Sequence, residues 1–234
     1  VAATGSGAAV SGSIAVNKLN NDTTAKIAGG AKVTAEKNAA VAAKSDDRIQ
    51  NYAGQLTVAG TGAAIGLATG TNIIGSNTKA EISGSGTEVI SHATDGVAAT
   101  QLMDGLNHEK LYNGSLTVNT LGALIGLDGL AEGRKATKYR GVAVSASATH
   151  TANSFIANGG GTGTGASVIG TVNTNIVGGS TTAQIADATA KAAGANVSVR
   201  ADDATNSGAL VGTVSVASEA EVSRQINTCK SQVQ

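Results

Sequence analysis

The feature that most constrains this chain is an internal repeat. Self-similarity at a fixed period is the mark of a repeat architecture, in which each unit packs mainly on its neighbours. The sequence therefore predicts a solenoid rather than an ordinary globular domain. Three segments align without gaps: GSGAAVSGSIAVNKLNNDTTAKI from Gly5 to Ile27, GTGAAIGLATGTNIIGSNTKAEI from Gly60 to Ile82, and GTGASVIGTVNTNIVGGSTTAQI from Gly163 to Ile185.

The repeat unit is long, at about 55 to 60 residues. Similar segments that begin at Gly54 and Gly114 place a further copy near Gly122. We divide each unit into three coils of roughly 18 to 20 residues, because a solenoid coil usually contains two or three short strands. Roughly twelve coils at the usual strand spacing would form a rod about 55 to 60 Å long. We expect one solenoid over residues 1–218, with repeats at approximately 1–58, 59–118, 119–161 (the shortened copy) and 162–218, followed by residues 219–234 as a tail or the start of a further segment.

Within the units, apolar and polar residues alternate with the period of a β-strand. Val197 and Val199 fall on one face of such a strand, and Ser198 and Arg200 fall on the other. The stretch from Val142 to Thr149 alternates in the same way. We therefore predict an all-β fold, a parallel β-helix. The Ala-rich stretch from Asp187 to Gly194 could form a short helix, so the prediction allows minor helical insertions.

Composition favours a narrow core. Hydrophobic residues make up 41% of the chain, but many are Ala, and there is one Phe and no Trp. A globule with a thick core usually needs larger side chains. The chain also has 32 Gly and no Pro. Absence of Pro suits stacked sheets, since Pro cannot donate a hydrogen bond to the strand ladder.

Charge and cysteine content exclude several classes of partner and site. Sixteen Lys and Arg residues balance sixteen Asp and Glu residues, so there is no basic surface typical of binding to nucleic acid or anionic membrane. The uncharged run from Gln50 to Thr78 is threaded with Gly, Thr and Asn, so we interpret it as strands and turns rather than a membrane span. Cys229 is the only cysteine, so neither an internal disulfide nor a Cys-based metal site can form.

One glycine-rich segment, Thr61 to Ala68, resembles the cofactor-binding turn of short-chain dehydrogenases. However, no Tyr is followed four residues later by Lys, and related text recurs at Gly7, Gly122 and Gly165. A cofactor site would not be copied in this way. We therefore interpret the segment as part of the repeat and expect no cofactor.

Acidic pairs and histidines are the other residues that could carry chemistry. Paired carboxylates catalyse glycoside hydrolysis, but Asp46–Asp47 and Asp202–Asp203 recur at corresponding places after strand patterns, where Asp favours turns. His92, His108 and His150 show no paired metal-ligand spacing, and we expect them to be polar residues in turns. Stacking could still bring distant residues together, which leaves a metal site open. We assign no catalytic, cofactor-binding or metal-binding residue and expect no enzyme activity.

The repeats also resemble a known group of proteins. Units of the form G-x-G-A-x-[IV], followed by [TS]-[TK]-A-x-I and V-x-[VA]-x-A, are similar to the passenger repeats of large filamentous adhesins and autotransporters, including the leukotoxin-family filamentous adhesins of anaerobic Gram-negative bacteria. The resemblance covers about residues 1–218. It implies a right-handed parallel β-helix that is displayed outside the cell, at the bacterial surface.

Three functional hypotheses follow. The first is a structural and adhesive rod whose partners are molecules on host or bacterial cells. Such a rod would contact a membrane only through segments outside this fragment. The start at Val1 without a Met suggests such a longer chain. The second is a fibre subunit that associates end to end through open strand edges. The third is a β-helix polysaccharide lyase or hydrolase, which needs carboxylates that converge in a groove.

Overall fold

The chain folds almost entirely into β-strands. A computed structural model describes residues 1–106, 134–217 and 220–233. No helix occurs in these ranges. The strands are β1 (Ala2–Thr4), β2 (Ala9–Leu19), β3 (Asp22–Ala28), β4 (Lys32–Ala35), β5 (Ala39–Thr61), β6 (Ala64–Ser83), β7 (Glu88–Ser91), β8 (Thr100–Leu106), β9 (Arg134–Tyr139), β10 (Gly141–Thr164), β11 (Ala166–Ala186), β12 (Thr189–Ala192), β13 (Asn196–Val216) and β14 (Ala220–Val233).

Three parallel sheets carry the repeats. Sheet A has the order β1-β5-β10-β13, and sheet B has the order β14-β11-β6-β2, with β3 also paired to β6. Sheet C is short and has the order β12-β7-β4. The chain visits sheets A, B and C in turn and then returns to sheet A beside its previous strand. The predicted all-β, parallel architecture is therefore confirmed, and it is compatible with a β-solenoid.

The copies that align in the sequence are hydrogen-bonded neighbours in sheet B. Ala9 in β2 pairs with Ala64 in β6, and Ala64 pairs in turn with Ser167 in β11. Residues that are paired between these strands are separated by the same number of positions as residues that are aligned between the repeats. Corresponding residues of successive repeats therefore lie above one another in the sheet.

Each repeat contributes one layer to the stack and not three coils. Val142 in β10 pairs with Val197 in β13, 55 positions later. The described strands thus form four layers, which we number by chain order: β1–β4, β5–β7, β10–β12 and β13–β14. Four layers span about 14 Å from first to last strand, well short of the expected rod. The count of roughly twelve coils is not confirmed, because strands such as β5, with 23 residues, run through the positions where turns were expected.

The layers turn at a stacked glycine corner between sheets A and B. Gly7, Gly62 and Gly165 occupy this corner in successive layers with φ of 88°, 97° and 119°. L-residues rarely adopt these values, whereas Gly does so readily. A Cβ on Gly62 would also lie 2.5 Å from the carbonyl oxygen of Gly7. The segment Thr61 to Ala68 is therefore a corner followed by a strand, as the repeat predicted, and no helix follows it.

The core lies between sheets A and B and is narrow. Inward residues alternate with outward ones along β5 and β6, and many inward residues are Ala or Gly. A Cβ on Gly70 would lie 2.6 Å from Cδ1 of Ile156, so the small residue lets the opposite side chain enter. Burial of an aliphatic side chain contributes about 1.5 to 3 kcal/mol. The main apolar cluster comprises Val41, Ala43, Ala80, Ile82, Val89, Val142, Val144 and Ala146.

A ladder of asparagines replaces apolar packing in the middle of sheet B. Asn17 donates to Oδ1 of Asn72 at 3.1 Å, and Asn72 donates to Oδ1 of Asn175 at 2.9 Å. Asn72 also donates to the hydroxyl of Ser154 at 2.8 Å. Asn72 and Asn175 are fully buried. Buried amides are tolerated when they are hydrogen-bonded, and here the partners come from adjacent layers.

An insertion separates the second and third layers. It contains the antiparallel pair β8–β9, and β8 contacts β10 and β13. The copy predicted near Gly122 and His108 lie outside the described residues.

Three other segments can be compared with their predictions. The stretch Asp187 to Gly194 contains strand β12 and no helix, which corrects the helical alternative. Most of residues 219–234, expected as a tail or a new segment, form β14, which extends sheet B. Gln50 to Thr78 lies in β5, the corner and β6, as interpreted from the sequence. Within the described ranges, the structure has no helix long and apolar enough to span a membrane.

Candidate functional site

A polar belt crosses the interior between apolar clusters. Along β5, the inward residues change from Val41 and Ala43 to Ser45 and Asp47, and then to Ile49. The alternation of the strand continues unbroken, so these polar side chains enter the core. Such a position is stable only if each polar group finds a partner.

His150 lies opposite Asp47 in the next layer. The two residues are register partners between β10 and β5. Nδ1 of His150 lies 3.1 Å from Oδ2 of Asp47, and the side chains are 1% and 3% exposed. The separation of these residues along the chain explains why no local sequence spacing indicated the pair.

A second carboxylate approaches the other side of the imidazole. Oδ2 of Asp203, in β13, lies 3.6 Å from Nε2 of His150. Asp203 is the register partner of Ala148, so it reaches His150 diagonally across the sheet. Thr181 donates a hydrogen bond of 2.6 Å to the same oxygen of Asp203. His150 therefore joins carboxylates from the second and fourth layers.

Asp47 has further neutral donors. The hydroxyl of Ser45 donates to Oδ2 at 2.9 Å, and Nδ2 of Asn21 donates to Oδ1 at 3.2 Å. Asn21 belongs to the first layer, so the belt is connected through all four layers.

The belt shifts the pKa values of its members in opposite directions. Burial lowers the pKa of His150, but the nearby carboxylates of Asp203 and Asp47 outweigh it and the pKa is raised. Burial raises the pKa of Asp203, but His150 and the Thr181 hydroxyl outweigh it and the pKa is lowered. Both shifts favour an imidazolium between two carboxylates.

The acidic pairs do not form turns, which corrects the sequence interpretation. Asp46–Asp47 lies within β5, and Asp202–Asp203 lies within β13. Neighbouring residues of a strand point to opposite faces, so Asp47 is buried whereas Asp46 is exposed. The pairs are also not equivalent in register, since Asp47 aligns with His150 and Thr205. The sequence alignment of the two acidic pairs was displaced by two residues relative to the strand register. It therefore placed Asp47 and Asp203 correctly on the same face of the sheet, but wrongly opposite each other.

The histidines differ in environment. His92 follows β7 and is exposed, whereas His150 is buried within a strand, contrary to the expectation of a turn. Among the residues that the structure describes, no three His, Cys, Asp or Glu side chains form a group that could hold a metal ion. The belt is closed to large molecules in this arrangement, so a polysaccharide cannot contact Asp47 or His150. Its evident physical effect is to connect layers.

A charged cluster on the outer face also connects layers. The carboxylate of Glu81, in β6, lies 2.6 Å from Nζ of Lys26 in the first layer and 2.5 Å from Nζ of Lys79. Gln184, in the third layer, donates to Glu81 at 2.8 Å. Hydrogen bonds from Lys26, Lys79 and Gln184 lower the pKa of Glu81 to about 2. Glu81 is thus ionised at near-neutral pH.

The outer faces near the glycine corner are unusually apolar. Val10, Ile65 and Val168 form one row across sheet B and are 65%, 43% and 44% exposed. Ile14 is 78% exposed on the same face. A contiguous exposed apolar surface typically marks an interaction site. The other exposed large apolar side chains of this region are Val16, Leu67 and Ile176 on sheet B and Tyr52, Leu56, Val58, Val214 and Val216 on sheet A.

No protein-family model, curated protein or solved structure matches this chain.

Proposed function

We propose that the layers close into a right-handed β-solenoid, and that this solenoid is a structural and adhesive rod of a secreted bacterial surface protein. The observation that carries the proposal is the in-register stacking of the sequence repeats, such as Ala9, Ala64 and Ser167. A solenoid gains stability from contacts between neighbouring layers and can be lengthened by adding copies.

Two features support closure and handedness. The chain passes from sheet A to sheet B to sheet C and then pairs parallel to its previous strand in sheet A. Crossovers between parallel strands of one sheet are right-handed in about 98% of cases. A crystal structure of the chain provides the test. A left-handed path, or sheets whose inner faces do not enclose one core, would contradict this part of the proposal.

The outer faces support adhesion along the side of the solenoid. The row of Val10, Ile65 and Val168 offers an apolar surface without charged neighbours in the row. Surfaces of this kind fit partners that bury apolar groups, and we propose molecules on host or neighbouring bacterial cells. The similarity of the repeats to filamentous adhesins agrees with this surface location. Any membrane attachment is assigned to segments outside the fragment.

Immobilised chain presented to host and bacterial cells tests the adhesive role. We expect the wild type to retain cells and the double variant Ile14→Lys with Leu67→Lys to retain at least about tenfold fewer, since both side chains are exposed on the apolar face. The double variant Ala40→Lys with Ala42→Lys adds the same charge at exposed positions of β5 away from that face and serves as the control. If the wild type retains no more cells than an inert protein, the adhesive part is wrong and the rod is a spacer.

A fibre subunit is the second candidate, and an open strand edge favours it. Among the described strands, β1 covers only Thr57 to Ala59 on one edge of β5. No described strand pairs with the rest of that edge of β5, so a further strand can add there. Sedimentation and electron microscopy at increasing concentration distinguish the candidates. A chain that stays monomeric at every concentration would count against fibre assembly.

A further inference from the structure

The placement of His150 has a use that a static scaffold does not need. Each of its ring nitrogens faces a carboxylate, and the two carboxylates come from different layers. We infer that His150 is a pH-sensitive clamp that fastens the fourth layer to the rest of the stack. The clamp is closed when the imidazole carries both protons.

The distances to the two carboxylates favour the doubly protonated ring. Neither ring nitrogen of His150 meets a partner in hydrogen-bonding geometry, so the carboxylates at 3.1 Å and 3.6 Å act on the ring as charges, and a proton on each nitrogen gives each carboxylate a positive neighbour. A neutral imidazole would present a lone pair to either Asp47 or Asp203, in a site where His150 is 1% exposed and water cannot screen the repulsion. The closed clamp is therefore an imidazolium between two carboxylates.

No other described charge replaces the imidazolium when it loses its proton. On β5 and β13, Lys44, Arg48 and Arg200 lie on the outward rows, and Arg200 pairs with Asp202 at 2.5 Å. The inward rows of β6 and β11 opposite the belt carry only uncharged residues, including hydroxyls. β8 also contacts β10 and β13. At sheet C, Glu88 pairs with Lys32 and Lys191.

Deprotonation affects the two carboxylates unequally. Asp47 retains donors from Ser45 and Asn21, and Asp203 retains the hydroxyl of Thr181, while the hydroxyl of Thr205 also lowers the pKa of Asp203. However, β13 is the end strand of sheet A and pairs with β10 alone among the described strands, whereas β5 pairs with both β1 and β10. Loss of the imidazolium therefore removes a larger share of the contacts that hold β13. Since Asp203 belongs to β13, we expect the fourth layer to loosen before the second.

The direction of the pH dependence follows from the folded and unfolded states. The pKa of His150 is raised above its ordinary value of 6.5 by the two carboxylates. Its contribution is then complete below pH 6.5 and is lost as the pH rises through the folded-state pKa. The pKa of Asp203 is lowered by His150 and Thr181, so the Asp203 contribution is lost only at acid pH. The clamp therefore opens as the pH rises above 6.5.

Amide hydrogen exchange of the full chain between pH 6 and pH 10, corrected for the intrinsic rate, tests the clamp. We expect protection in β13 to fall about tenfold for each unit by which the pKa of His150 is raised, with a smaller change in β5. His150→Gln should remove this pH dependence, and the matched control His92→Gln, at an exposed position, should retain it. Flat protection of β13 in the wild type, or an unchanged pH dependence in His150→Gln, would overturn the inference.

A spectroscopic measurement keeps the inference testable if His150→Gln fails to fold. Nitrogen NMR of the wild-type imidazoles distinguishes the imidazolium from either neutral tautomer. We expect His150 to be protonated at pH 6.5 and to lose its proton at a pH above 6.5. A neutral His150 at pH 6.5 would overturn the clamp whatever the variants do.

Discussion

The corner glycines allow a direct test of how closely the layers approach. Gly62 and Gly84 have nearly the same left-handed φ, 97° and 96°. A Cβ on Gly62 would lie 2.5 Å from the carbonyl oxygen of Gly7, whereas a Cβ on Gly84 would meet its nearest atom, the backbone nitrogen of Gly29, at 3.5 Å. Replacement of each by Ala therefore imposes the same conformational strain, but only Gly62→Ala pushes against the layer below.

The expected magnitudes follow from these two terms. Forcing an L-residue into a left-handed conformation costs about 1 to 2 kcal/mol, and this applies to both variants. Overpacking against backbone adds about 1 to 3 kcal/mol in Gly62→Ala only. The unfolded chain loses similar freedom in both variants, so that contribution cancels. We expect Gly62→Ala to lose about 1 to 3 kcal/mol more than Gly84→Ala.

Urea unfolding of the wild type and both variants measures this difference. The free energies are comparable only if the three proteins share one dependence on urea concentration, since a changed slope would mean a changed unfolded or folded state. Equal losses, within about 0.5 kcal/mol, would refute the close approach of layers at the corner.

Three further perturbations test other contacts between layers. Ile156→Ala should lower the free energy of unfolding by about 2 to 5 kcal/mol because Ile156 is fully buried. Ile14→Ala should change it by less than about 0.5 kcal/mol because Ile14 is 78% exposed. Equal losses in urea unfolding would contradict the position of the core. Asn72→Ala should lower the free energy of unfolding by about 1 to 3 kcal/mol for each buried partner that it leaves without a hydrogen bond. Asn175→Ala should lower it less in the Asn72→Ala background than in the wild type, which a double-mutant cycle measures. The lysine partners of Glu81 lower its pKa to about 2, so its contribution to the free energy of unfolding is complete above pH 4.5 and is lost as the pH falls toward 2. Glu81→Gln should therefore lose stability less steeply with acid over this range. An acid unfolding profile identical to that of the wild type would contradict the ionised cluster.

The sequence was sufficient to predict the features that depend on local alternation and on the repeat. The period of two along Val197 to Arg200 predicts a strand, and the gapless alignment of Gly60 with Gly163 reproduces the register of β6 and β11. The predominance of Ala over large side chains likewise predicts the narrow core. These signals lie within a few residues or repeat along the whole chain.

The number of layers could not be predicted because polar residues face inward. Ser45, Asp47 and Asn72 interrupt the apolar pattern, and such interruptions usually mark turns. Their partners lie in other layers, as Asn175 does for Asn72. The ionic belt was missed for a related reason, since His150 meets Asp203 diagonally across the sheet. A histidine on the inward row of an alternating strand was the one local signal for it.

One layer per repeat determines how such a protein can use its length. An added copy of about 55 residues raises the stack by only about 4.8 Å, so a reach of about 100 Å needs more than about a thousand residues. A strand such as β5, with 23 residues, is about 75 Å long, so height equals width only after about sixteen layers. A shorter array is a slab that is wider than it is high. Duplication of repeats in such an array therefore adds a strip of broad side about 75 Å wide for each ~4.8 Å of height.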